Sequence, residues 1–157
     1  MRSTSLMLSL KRFVDKVLRP EFPRIGLYIG GIPSDAENVF PFVVLRLSDG
    51  DGEGTVDGGY ECEDKVMLHI GVMEMDDPEE AMLTCLGVSD TLRMALRRAR
   101  LLENIYELGS LRVAIPDPER KQHDYHLMTL ITSWHYLVPA YDAGNDYRDD
   151  QFVQHKE

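Results

Sequence analysis

Lys65-Val66-Met67-Leu68-His69-Ile70-Gly71-Val72-Met73 alternates its side chains with a period of two. Val66, Leu68, Ile70 and Val72 fall on one face of an extended strand, and Met67, His69 and Met73 on the other. Both faces are apolar or aromatic, so a sheet built on this strand needs cover on both sides. The preceding stretch, Phe40 to Leu47, reads as a second strand, with β-branched Val43 and Val44 and apolar positions on both faces. Asp49 to Asp64, acidic and glycine-rich, predicts a loop that joins the two into a long-looped antiparallel hairpin.

Further along, Tyr125 to Val138 alternates again. Met128, Leu130, Trp134, Tyr136 and Val138 share one face, and Leu127, Ile131 and Leu137 the other; Pro139 ends the strand. Leu111 to Ile115, closed by Pro116 and Pro118, predicts a short fourth strand. Ile25 to Ile29 is a further short strand candidate, ended by Gly30, Gly31 and Pro33.

Two segments carry helical spacing. Leu6, Leu10, Phe13, Val14, Val17 and Leu18 follow the possible N-caps Ser3, Thr4 and Ser5 and stop before Pro20 and Pro23. This predicts a peripheral amphipathic helix. The second helix runs from Glu79 to Glu103. Asp76, Asp77, Glu79 and Glu80 crowd its start, with Pro78 in the first turn. Ala81, Cys85, Val88, Leu92, Ala95, Ala99 and Leu102 form its buried stripe, and Gly109 marks the exit. The expected fold is therefore α+β: a four-stranded mixed or antiparallel sheet packed by one long helix, plus the peripheral N-terminal helix. It forms a single domain over residues 1–141, and residues 142–157 form a polar C-terminal tail. One helix covers one sheet face, so the missing cover is most simply another copy of the chain.

Composition narrows the function. Hydrophobic residues make up 43% of the 157, enough for a packed core. Seventeen basic against 27 acidic residues leave a net charge of −10, which repels phosphate and disfavours tight nucleic-acid binding. Two cysteines, Cys62 and Cys85, are too few for a disulfide scaffold and suit a reducing cytoplasm. Met1 to Leu10 lacks the pattern of a signal peptide, and no stretch approaches the ~20 apolar residues of a membrane span.

No motif carries catalysis. Asp49-Gly50-Asp51-Gly52-Glu53-Gly54 imitates the first half of a calcium loop, but position twelve is Tyr60, where a bidentate carboxylate is required. His123 and His126 flank Asp124 where loop enters strand, a spacing that puts them on opposite faces rather than around a metal. No serine sits in a nucleophile elbow, neither cysteine has an adjacent histidine, and the glycine pairs are not phosphate loops. No cofactor is expected. Arg93, Arg97 and Arg100 share a helix face at i, i+4 and i+7. They read either as a solvated face that complements the helix dipole or as an interface for an acidic neighbour.

The chain order Phe40-Pro41-Phe42-Val43-Val44-Leu45-Arg46, acidic loop, Leu68-His69-Ile70-Gly71-Val72, helix with Leu92-Arg93-Met94-Ala95-Leu96, Leu111-Arg112-Val113-Ala114-Ile115-Pro116, and Thr129-Leu130-Ile131-Thr132-Ser133-Trp134 resembles a known group. It is similar to the small α/β proteins at the head–tail junction of tailed bacteriophages, the tail-terminator and tail-completion family. The resemblance implies a non-enzymatic virion protein, assembled in the host cytoplasm. It implies a homo-oligomer, a hexameric ring that caps the tail tube protein and meets the head–tail connector protein. Genomic DNA would pass through its channel without specific binding. Arg93, Arg97 and Arg100 would then face an acidic partner surface, and Asp49, Asp51, Glu53 and Asp57 the channel or a neighbour. Two alternatives remain: a neck or connector-stopper protein on the portal side, and a small cytoplasmic regulatory or ligand-binding module.

Overall fold

The computed structural model describes residues 3–34, 41–54, 60–72, 77–115 and 126–138, with the backbone alone at 49–54, 60, 126 and 127. Two helices, α1 (Ser3–Leu18) and α2 (Pro78–Ala99), accompany six strands: β1 (Gly26–Ile29), β2 (Phe42–Gly54), β3 (Tyr60–Gly71), β4 (Leu101–Leu102), β5 (Tyr106–Ala114) and β6 (His126–Val138). The sheet order is β1-β2-β3-β6-β5-β4. Only β1 and β2 run parallel; every other pair is antiparallel.

This corrects the expected four-stranded sheet under one long helix. The sheet is a six-stranded mixed half-barrel, and two helices pack on it. The extra strands β1 and β4 are edge strands of four and two residues, too short for a period of two to reveal the sheet they extend. The N-terminal helix is not peripheral either: Leu6, Leu10, Val14 and Leu18 are fully buried in the same core cluster as the α2 stripe. Its neighbours include β1 and β2 at one sheet edge and β4 at the other. One helix can reach both edges because the sheet curls towards it.

The register explains which face is which. Val43, Leu45, Val66, Leu68, Ile70, Met128, Leu130, Trp134, Tyr136 and Val138 are all buried on the inner face, beneath α1 and α2. Their neighbours one residue along, such as Met67, His69 and Ile131, are half-buried on the outer face. Among the described residues no helix packs on that outer face.

Three irregularities interrupt the strand register, one of them between Ile70 and Gly71 where β3 pairs with β6. The other two fall between Leu47 and Asp49 in β2 and between Leu108 and Ser110 in β5. At the second, a Cβ on Gly109 would meet the His135 ring at 2.4 Å and Ser133 Oγ at 2.8 Å. The glycine lets the imidazole lie against the backbone of β5.

Three further expectations change. The predicted acidic loop is mostly strand: β2 runs to Gly54 and β3 begins at Tyr60, paired residue for residue. Helix α2 ends at Ala99, ten residues before Gly109, and Leu102 belongs to β4. The short strand expected at Leu111 begins earlier, at Tyr106. Residues 142–157 of the expected tail lie outside the described residues.

Candidate functional site

The start of α2 forms as its residue types dictate. Asp77 caps it, its carboxylate accepting from the Glu79 and Glu80 backbone N–H groups, and Pro78 occupies the first turn. The outward stripe is less ordinary. Leu83 is 60% exposed and Met94 62%, with Leu86 also exposed. At helical spacing these three share a stripe with Asp90 and Arg97. An apolar line that ends in basic residues, on the solvent side of a helix, is the kind of surface proteins use for docking.

The arginines do not form one even face. Arg93 is half-buried and donates through Nη2 to Asp90 Oδ1, while its Nε is buried without a partner. Arg97 and Arg98 stand exposed in the last turn. Arg100 has left the helix: it is the C-cap residue, with φ 59°, and its N–H donates to Leu96 O. The positive φ of Arg100 ends the helical turn there, so the run of arginines finishes at the cap.

Beyond the β2 bulge, β2, β3 and β6 continue as a three-stranded arm. The register places Asp49 opposite Lys65, Asp51 opposite Glu63, and Glu53 opposite Glu61. Two of these three register pairs set an acidic residue opposite an acidic residue. Asp57 lies outside the described residues. An extended, paired strand cannot wrap a calcium ion, so the calcium-loop likeness of Asp49 to Gly54 is lexical only. His123 and Asp124 are also outside the described residues. Among the described residues no group of three His, Cys, Asp or Glu side chains could hold a metal.

Where the arm leaves the shorter β5, a cleft of about 390 Å³ opens, lined by Glu61, Glu107, His135, Leu101 and Leu137 among others. Tyr136 also lines it and meets Tyr106 edge-on, ring centroids 5.2 Å apart.

Beneath the arm lies a polar network that the sequence reading missed. Asp64 is 2% exposed, and its Oδ2 accepts from Ser3 Oγ at 2.6 Å and Tyr136 OH at 2.9 Å. It ties the first turn of α1 to the middle of the sheet. Burial, before all else, pushes the Tyr136 hydroxyl above its ordinary value, and Asp64 adds to the effect. The same alternation that puts Val66 and Leu68 inside puts Asp64 inside; that signal was in the sequence and was hidden by the run of acids around it. Trp134, opposite Asp64, is 1% exposed. Its Nε1 donates to Thr132 Oγ1, which in turn donates to Val66 O.

No family model matches the chain, and no curated protein matches it. No described helix is long and apolar enough to cross a membrane.

Proposed function

We infer that the chain is a ring-forming structural protein of a phage or prophage tail, which terminates the tail tube and joins it to the head connector. The observation that carries this reading is the acidic arm. Asp51 pairs with Glu63 and Glu53 with Glu61 in backbone register, so the arm gathers acidic residues, a composition that suits a basic partner surface. The same chain offers such a surface: Arg97 and Arg98 at the end of the exposed Leu83–Leu86–Met94 stripe. Acid on one element and apolar-basic surface on another suit head-to-tail contacts between copies, the contact type that closes rings. The strand and helix order set out above supplies the phage tail context. A net charge of −10 suits a channel for DNA, because a polyanion is not retained by an acidic wall.

Sedimentation velocity across a wide concentration range, with negative-stain imaging of the protein alone and with tail tubes, tests this. The expected result is a ring of six copies, free or seated on the tube end. A strict monomer in solution together with bare tube ends would overturn it.

A further inference from the structure

The sheet has two long stretches of strand edge that its own short edge strands leave open. β1 pairs only with Phe42 to Leu45, so β2 from Arg46 to Gly54 has no strand on its far side among the described residues. β4 pairs only with Tyr106 and Glu107, and the Leu108 N–H still donates to Arg100 O, so β5 is likewise open from Gly109 to Ala114 among the described residues. Arg46 donates to Gly30 O at the point where β1 stops, which marks the start of the first open edge. The stretches are nine and six residues long by these bounds. Each presents a row of backbone donors and acceptors that seek a strand.

Soluble proteins blunt such edges with proline, lysine or bulges. Neither open stretch contains a proline or a lysine, and each carries its bulge near its start. The two lie on opposite sides of the sheet, as a head and a tail must. Their charges also differ in sign. β5 carries exposed Arg112, and the open stretch of β2 is acid-rich in sequence, with Asp49, Asp51 and Glu53. An edge of β5 against β5 would instead bring Arg112 towards its own copy.

We propose that copies of this chain join edge to edge, the open edge of β5 (Gly109–Ala114) in one copy adding to the open edge of β2 (Arg46–Gly54) in the next. This rests on the ring reading and adds a second contact beside the α2 stripe: the sheet continues from copy to copy through main-chain hydrogen bonds, which brings the β5 strand that carries Arg112 beside the acid-rich stretch of the neighbour's β2.

Hydrogen exchange of the full chain, at dilute and at associating concentrations, tests it. Amides in both 46–54 and 109–114 gain protection together on association. Arg112→Glu weakens association about tenfold, Asp51→Arg with Glu53→Arg does the same, and the three substitutions together restore it. Arg112 is exposed, so the circular dichroism and thermal midpoint of its variant match those of the wild type. Association with neither edge protected overturns the proposal and leaves the ring standing. A two-copy complex with only 109–114 protected overturns it in favour of a β5–β5 dimer. A monomer at every concentration also overturns it, since matched edges in one chain need no template, while a ring seen on tail tubes alone would survive.

Discussion

One carboxylate oxygen of Asp64 joins the first turn of α1 to β6, accepting from Ser3 Oγ and from Tyr136 OH. In the sequence Asp64 closes an acidic run, Glu61, Glu63 and Asp64, and reads as loop. In the fold it is the one member of that run with a buried carboxylate, held by Ser3 and Tyr136. A buried acceptor removed from two donors leaves both hydroxyls unpaired, and each orphan costs about 1–3 kcal/mol. Asp64→Ala therefore lowers the unfolding free energy by about 2–4 kcal/mol in urea titration, whereas Ser3→Ala, on a half-buried residue, lowers it by about 1 kcal/mol. Trp134→Ala removes the largest fully buried side chain and costs about 3–5 kcal/mol. Asp64 and Trp134 are cross-strand partners, so the double variant falls short of the sum. Burial of Trp134 was legible from its period-two company of Leu130, Tyr136 and Val138. The partner of its indole N–H was not, because Thr132 does not belong to an apolar pattern.

The elements differ in how openly the sequence announces them. α1, α2, β3 and β6 are long and periodic, and their existence and type follow from the residues. Their ends and company are harder to read. Helix α2 stops without a glycine: Arg100 takes φ 59°, and the turn to β5 puts Glu103 and Asn104 both at φ 54°. Ile105 N–H donates to Leu102 O across that turn, a tight turn with positive φ at both central positions inside a three-residue connection from Leu102 to its partner Tyr106. Glycine and asparagine usually signal such a turn, and here only Asn104 does. The left-handed region costs a residue with a Cβ about 1 kcal/mol. Arg100→Gly and Asn104→Gly are each expected to raise stability by up to about 1 kcal/mol, measured as a rise in thermal midpoint. At the outer stripe of α2 the expectation is reversed. Arg97→Glu with Arg98→Glu leaves folding within about 1 kcal/mol, because exposed charges contribute little. The same change weakens ring formation if the stripe faces an acidic neighbour. Wild-type assembly in that variant would reduce the arginines to a solvated helix end.

At the scale of the whole molecule, the sequence reading counted too few strands and placed one helix outside the core. Both errors have one physical source: curvature. A flat four-stranded sheet needs one helix, whereas a sheet that curls into a half-barrel closes around two and adds short strands at its rims. Pair patterns along the chain carry no information about curl, which arises from bulges and from side-chain volume inside the hollow. The closed hollow has a consequence for pH. Burial pushes the Cys85 thiol from 9.0 up to about 12, and raises the hydroxyls of Tyr106 and Tyr136 as well. Each group holds its proton more tightly folded than unfolded. Each therefore contributes stability that is complete below the unfolded pKa and is lost as pH rises towards the folded one. Stability from this source should be level below about pH 9 and decline between about pH 9 and 12, tracked by urea midpoints across that range. Cys85→Ala removes one of the protons, so its stability starts lower but declines more gently, by about one proton in the slope. A parallel decline in wild type and variant would mean that the Cys85 thiol ionises inside the fold, and that water reaches the space between α2 and the sheet.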